Sequence, residues 1–191
     1  SGDPVEQGCI GAGTGATVAK TQGPQKAVKG GLGSSSIDLG DGLLVGALVA
    51  VNAIGSVYDS ENGLLLAGPR NDGGMSNSMD DLISGNSFKL PDIKSNTTIG
   101  VVATNARLTK AQAKRLAVNA HDGLALAIRP SHLIGDGDTM FAISTGEQGN
   151  IDAFSDMNRV IAGAVQAVSD SIKNAIQFAE TMGGVPAVRD L

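Results

Sequence analysis

The chain has 191 residues, which is the size of one domain, and its formal net charge is −5. At this length roughly 70% of the surface of the unfolded chain becomes buried on folding, so a core can form without disulfides. The single cysteine, Cys9, excludes an internal disulfide and favours a reducing, cytoplasmic location. With 14 Lys and Arg against 19 Asp and Glu, nucleic-acid binding is disfavoured. No apolar run approaches the roughly 20 residues of a membrane helix, so no membrane partner is expected.

Glycine dominates the first third of the chain. Residues 8 to 16 loosely match a G-x-G-x-x-A phosphate loop, but no convincing strand precedes them and no helical pattern follows. We therefore expect no cofactor here. The glycines instead predict tight turns and closely approaching backbone segments, flanked by strands. Cys9 is expected to be a small buried apolar residue.

Residues 43 to 52 form a nearly continuous apolar run, which is typical of a strand buried on both faces. Asn52 closes this predicted central strand. A polar amide at the end of a buried strand needs a hydrogen-bond partner. The sequence leaves two alternatives for that partner, backbone groups or a ligand.

Residues 67 to 96 change character, because turn dipeptides and a polar tract replace any apolar period. This composition predicts a mobile connector. It ends in Ser-Asn-Thr-Thr, directly before an apolar stretch at 99 to 103.

The hydroxyl side chain of Thr97 at this junction fits two hypotheses. β-Branched residues are common in strands, which is a purely structural explanation. Alternatively, cleavage between Asn96 and Thr97 would give Thr97 a free α-amine beside its hydroxyl, so that one residue supplies nucleophile and base. An unperturbed α-amine has a pKa of about 7.7 to 8.0 and can accept a proton near neutral pH.

After Thr97 the pattern becomes regular. A strand is predicted over 98 to 104, followed by a helix that has Thr109 as its N-cap and runs from 110 to 128 before Pro130. A further strand is predicted over 139 to 144 and a final helix over 151 to 182. This order, strand, helix, strand, helix, predicts helices layered against a sheet.

The loop between that helix and the next strand contains Asp136, Gly137 and Asp138, which by themselves are typical of a turn. His121 lies in the predicted helix and His132 in the loop. Neither has a Cys or Glu-x-x-His partner, so no metal site is expected.

Five segments, taken together and in order, resemble the L-aminopeptidase D-amidase/D-esterase family, also called β-peptidyl aminopeptidases; they are residues 11–16, 29–33, 48–52, 98–106 and 136–139. The resemblance implies an α/β fold, a four-layer α-β-β-α sandwich of the type found in ornithine acetyltransferases and similar to Ntn (N-terminal nucleophile) hydrolases. It also implies a precursor that cuts itself in two. Residues 1–191 would be one domain, the C-terminal part of that precursor, with 1–96 ending the first subunit and 97–191 forming the second.

The resemblance also implies roles for single residues. Thr97 would be the nucleophile and the Asn96–Thr97 bond the cleavage site, with Thr98 a rival by one position. Asn52 would stabilise the oxyanion, and Asp138 would hold the protonated amine of Thr97 or of a substrate. Asp136 stands where some relatives have serine, which puts a relay through a serine hydroxyl in doubt.

The activity implied by the resemblance is that of a self-processing aminopeptidase or amidase acting on short peptides, amides or esters, without a cofactor and as a homo-oligomer. Two alternatives remain. One is an acyl transferase of the ornithine acetyltransferase type, and the other is a non-catalytic binding or assembly protein.

Overall fold

The computed structural model describes residues 3–87, 96–152 and 154–191. In this part of the chain the strands are β1 (Thr17–Val18), β2 (Val28–Lys29), β3 (Gly31–Asp38), β4 (Leu44–Asn52), β5 (Ser56–Tyr58), β6 (Leu65–Ala67), β7 (Arg70–Asn71), β8 (Gly74–Met75), β9 (Thr97–Arg107), β10 (Ile128–Arg129) and β11 (Thr139–Asn150). The α-helices are α1 (Ser78–Ile83), α2 (Lys110–Ala127) and α3 (Ser155–Gln177), and short 3₁₀ helices lie at Gly11–Gly13, Pro24–Lys26 and Val188–Asp190.

The main sheet has four strands in the order β11-β9-β4-β3. β4 is antiparallel to both β3 and β9, whereas β9 and β11 are parallel. Parallel neighbours need a crossover connection, and α2 lies in the chain between them. The predicted order of strand, helix, strand and helix after Thr97 is therefore confirmed.

Helix α2 begins where the sequence predicts it. The Thr109 hydroxyl accepts a hydrogen bond from the Gln112 backbone N–H at 3.3 Å, and the Gln112 side chain accepts one from the Thr109 backbone N–H at 2.9 Å. These reciprocal bonds satisfy two backbone donors that the first helical turn cannot pair. The helix ends at Ala127, because Ile128 is already extended and pairs in β10, so Pro130 lies beyond the helix and does not end it.

Helices α2 and α3 pack on one face of the main sheet and form the core with the alternate residues of its strands, including Val49, Val51 and Val102. The packing is close because the strands carry small residues. A Cβ at Gly33 would lie only 1.9 Å from the Ser171 carbonyl oxygen of α3. The other face, which we call the open face, is not covered by any helix of the described residues and exposes large apolar side chains, among them Ile99, Phe141 and Ile143.

The prediction of a connector over 67 to 96 is wrong where the structure describes it. Strands β7 and β8 form a hairpin there, and α1 follows. The Asn77 side chain caps α1 by accepting from two backbone N–H groups, and the buried Asp81 carboxylate accepts from the hydroxyls of Thr21 and Ser76. Polar contacts hold this segment, so an apolar period could not reveal it. The rest of the predicted connector, residues 88–95, lies outside the described residues.

Three smaller predictions need correction. β11 continues past residue 144 to Asn150 through an irregularity in its pairing with β9, and α3 is shorter than predicted at both ends. Cys9 is only partly buried, and its sulfur exchanges hydrogen bonds with the backbone of Glu180. The glycine-rich start is a close-packed turn as expected, since a Cβ at Gly13 would meet the Leu32 nitrogen at 2.2 Å.

Candidate active site

The peptide bond between Asn96 and Thr97 lies at the start of β9. The Thr97 hydroxyl donates a hydrogen bond to the Asn96 carbonyl oxygen at 2.6 Å, and the Gly137 backbone N–H donates to the same oxygen at 2.8 Å. A carbonyl with two donors is polarised, and one of these donors is a potential nucleophile. Thr97 is partly exposed, whereas the side chain of its neighbour Thr98 is fully buried.

Asn52 lies directly opposite Thr97 in the pairing of β4 with β9. Directly paired residues point to the same face of a sheet, so the two side chains share the open face. The Asn52 Oδ1 atom accepts hydrogen bonds from Lys20 Nζ at 2.7 Å and from the Thr17 backbone N–H at 3.1 Å. Both partners can only donate, which fixes the orientation of the amide and leaves Nδ2 as its donor end.

Lys20 is the residue that the sequence analysis missed. Its Nζ donates to Asn52 Oδ1 and, at 2.6 Å, to Asn96 Oδ1, although the residue is only 8% exposed. Burial lowers the pKa of Lys20 to about 8, and the negative charge of Asp136 partly opposes that effect. The Lys20 backbone N–H is bonded to the Ile54 carbonyl just beyond β4, which fixes the lysine beside Asn52.

A lone lysine carries no pattern that separates it from a surface residue. The signal that could have found Lys20 is its place directly after the apolar stretch Thr17-Val18-Ala19, where a charged side chain must either turn outward or find buried partners.

Asp136 and Asp138 approach the same bond from the loop before β11. Residues Asn96 and Asp136 form an isolated parallel bridge, which fixes this loop against the start of β9. One Asp136 oxygen accepts from the Ile54 backbone N–H at 3.2 Å, while Oδ2 is buried without a hydrogen-bond partner. Burial, together with the Asp138 charge, raises the pKa of Asp136 above its usual value.

The Asp138 carboxylate accepts from the Thr98 backbone N–H at 2.8 Å, one residue beyond the predicted partner Thr97. Its other oxygen accepts from the backbone N–H of His132 and lies 3.0 Å from His132 Nδ1. Asp138 therefore anchors the start of β9 in this unbroken chain. The His121 and His132 rings are 4.9 Å apart, and the described residues contain no cluster of ligands suited to a metal ion.

The polar groups at this site are incompletely paired. Three buried side-chain atoms of the described residues have no hydrogen-bond partner, and all three belong to the site: Asn96 Nδ2, Thr98 Oγ1 and Asp136 Oδ2. Buried polar groups are usually satisfied, so such a concentration is typical of a functional site rather than of a core.

Comparison with solved structures identifies the fold. The chain superposes with a TM-score of 0.64 on an L-aminopeptidase D-Ala-esterase/amidase from Ochrobactrum anthropi, whose fold is a variant of the Ntn-hydrolase fold. The two sequences are 24% identical, and the match covers 97% of this chain and 48% of the other. The described strands and helices thus form part of an Ntn-hydrolase fold, as the sequence analysis predicted.

Comparison of the sequence with known families identifies the family to which the chain belongs. The family model for peptidase family S58 matches residues 1–189, and the chain belongs to that family. An uncharacterised aminopeptidase of Mycobacterium leprae is 36% identical over 207 residues, covering 95% of this chain and 52% of the relative. A 6-aminohexanoate-oligomer endohydrolase of Kocuria sp. is 29% identical over 144 residues, which covers 74% of this chain and 40% of the relative. The chain spans about half the length of the first of these relatives. No helix in the described ranges is both long enough and apolar enough to cross a lipid bilayer.

Proposed function

We propose that this chain belongs to a hydrolase that cuts its own backbone between Asn96 and Thr97 and then uses Thr97 as an N-terminal nucleophile. Residues 1–96 would then end one subunit and 97–191 would form the other. The observation that carries the proposal is the Thr97 hydroxyl, 2.6 Å from the Asn96 carbonyl oxygen that also accepts the Gly137 N–H. The buried and unreactive surroundings of Thr98 support Thr97 over its rival.

Self-cleavage proceeds through an ester. Thr97 Oγ1 bonds to the Asn96 carbonyl carbon, the peptide C–N bond breaks, and the hydroxyl proton ends on the released amine of Thr97. The Gly137 N–H holds the negative charge that develops on the Asn96 oxygen. Water then hydrolyses the ester, which restores the Thr97 hydroxyl and leaves a carboxylate on Asn96.

In turnover the new α-amine acts as the base. It takes the hydroxyl proton as Oγ1 attacks the substrate carbonyl, and it gives that proton to the leaving amine or alcohol. Asn52 Nδ2 donates to the oxyanion, and Lys20 is a positioning residue because its bond to Oδ1 keeps the amide turned. The free amine of Thr97 would be a further partner for Asp138, as the family resemblance implies, while Asp136 supplies a second carboxylate beside it.

Family membership supports the substrate class. Short peptides, amides or esters that lose their N-terminal residue fit the peptidase family and the aminopeptidase from Mycobacterium leprae. The Kocuria relative, named for hydrolysis of 6-aminohexanoate oligomers, supports amides outside α-peptides as well. A homo-oligomer and a cytoplasmic location are part of the same proposal, and light scattering on the purified protein tests the first of them.

Intact-mass spectrometry of the purified chain during incubation tests the self-cleavage. Wild type is expected to give two polypeptides, one ending at Asn96 and one beginning at Thr97. Thr97→Ala is expected to remain one polypeptide, whereas Thr97→Ser keeps a hydroxyl and is expected to cut. The matched control is Thr98→Val, which removes the neighbouring hydroxyl at constant shape and should leave cleavage intact. A wild-type chain that stays whole, or a Thr97→Ala chain that still breaks, would contradict the proposal.

A further inference from the structure

Asn96 fills a polar pocket with both of its oxygen atoms. The backbone carbonyl accepts from Gly137 N–H, and the side-chain Oδ1 accepts from Lys20 Nζ at 2.6 Å. The residue is 3% exposed and Lys20 is 8% exposed, so this side-chain hydrogen bond is shielded from solvent. The pocket therefore holds residue 96 by its reacting carbonyl and, separately, by an acceptor on its γ carbon.

Self-cleavage and turnover pass through the same kind of intermediate, an ester on Thr97 Oγ1. In self-cleavage the acyl group of that ester is residue 96, and in turnover it is the residue that the substrate donates. The two acyl groups share one covalent partner and one oxyanion position. The place of the Asn96 side chain thus marks the place of the substrate's acyl side chain. This step rests on the proposed function.

Removal of the segment that ends at Asn96 leaves Lys20 short of an acceptor. Its Nζ retains Asn52 Oδ1, but the acceptor at 2.6 Å is gone. A buried charged donor that loses one of its acceptors stays desolvated without the full set of hydrogen bonds that would compensate for it, which is unfavourable. A site built to hydrogen-bond a polar group rejects analogues without that group far more strongly than an apolar pocket rejects a change of size.

We propose that the Lys20 pocket selects substrates whose acyl residue carries a carbonyl oxygen on its γ carbon, as asparagine does. Lys20 Nζ donates to that oxygen while Thr97 attacks the reacting carbonyl carbon, three bonds from the γ carbon. Leucine has the same branched shape but no acceptor, so Lys20 Nζ loses its 2.6 Å hydrogen bond and keeps only its contacts to Asn52. Lysine and arginine side chains are excluded because they bring a second positive charge to Lys20.

The first test uses the chain's own acyl residue. Asn96→Leu is expected to slow self-cleavage on the order of 10 to 100-fold, because without the hydrogen bond to Lys20 the carbonyl of residue 96 is no longer held in position for attack by Thr97. Asn96→Asp keeps an oxygen on the γ carbon and is expected to cut faster than Asn96→Leu. Equal rates for Asn96→Leu and wild type would overturn the inference while leaving self-cleavage established.

The second test uses substrates in solution. The mature protein is assayed with asparaginyl and leucyl p-nitroanilides, and kcat/KM is expected to favour asparagine by a similar factor of 10 to 100. Lys20→Met should lower this ratio toward one. Lys29→Met is the matched control, because Lys29 is also buried but donates to the Thr14 carbonyl, and it should keep the ratio.

The outcomes separate the two proposals. If the chain cuts itself and hydrolyses both anilides equally, the proposed selectivity for the acyl residue is wrong and the proposed hydrolase function still stands. An asparagine preference that survives Lys20→Met also overturns the role of the lysine. A wild-type chain that never breaks removes the ester on which both proposals depend.

Discussion

Strand β9 belongs to two very different environments. Along its length Val102 and Ala106 are fully buried beneath α2 and α3, in a core of small apolar side chains packed against backbone. At its start, Thr97 and the preceding residue Asn96 lie among an ammonium group, an amide and two carboxylates, with buried polar atoms left unpaired. The core is arranged for close packing, whereas the site keeps groups that a stability-optimised protein would pair or remove.

The largest effect on stability is expected in the core. Gly33→Ala places a Cβ 1.9 Å from the Ser171 carbonyl oxygen and 2.5 Å from the Ala175 nitrogen, so β3 and α3 must move apart. Overpacking of this kind costs up to about 3 kcal/mol of unfolding free energy, and occasionally more. Chemical denaturation measures it, and Gly46→Ala on the open face, where the nearest atom is at 3.5 Å, is the control. Equal unfolding free energies for the two variants would mean that the helix-covered face is not tightly packed.

The same substitution at the site is expected to affect reactivity instead. Gly137→Ala places a Cβ 2.8 Å from Thr97 Oγ1, which must shift away from the Asn96 carbonyl. Misplacement of a reacting group by about 1 Å can slow a reaction on the order of 100-fold. We expect slowed self-cleavage by intact mass, with a smaller loss of stability than Gly33→Ala causes.

Gly15→Ala is the control for that experiment, because a Cβ at Gly15 meets nothing within 4 Å. If Gly137→Ala cuts as fast as Gly15→Ala, the close approach of the loop before β11 has no part in the reaction.

The smallest expected effect is a pH dependence from Lys20, whose pKa of about 8 in the folded chain lies below the ordinary lysine pKa of 10.5. Between these values the unfolded chain binds more protons than the folded chain, so stability rises with pH across this window. From pH 8 to pH 10 the gain is about 2 kcal/mol. Denaturation midpoints of wild type and Lys20→Met at these two pH values isolate the contribution. A slope that survives in Lys20→Met would assign it to other groups.

Local sequence patterns were sufficient to predict the elements that are stabilised by helix capping or by burial of apolar side chains. The run from 43 to 52 predicted β4, and Thr109 with helical spacing predicted α2, because burial and capping leave a periodic or positional mark. Helix α1 left no apolar period, since Asn77 caps it locally and Asp81 holds it through a hydrogen bond to the distant Thr21. A connector was therefore predicted where the chain is ordered.

For the site, the sequence by itself determined strand β9 and the polar-to-apolar junction at Asn96 and Thr97. The resemblance to the family added Asn52, Asp136 and Asp138 as candidate site residues. Only the tertiary structure decided that Lys20, 76 residues from Asn96, donates to its side chain. The physical reason is that strand pairing and helix caps are encoded by neighbours in the chain, whereas the environment of a buried charge is set by whichever segments fold around it. The sequence alone does not show which groups accept hydrogen bonds from Lys20, because these groups reach the lysine only when β1, β4 and β9 pack together.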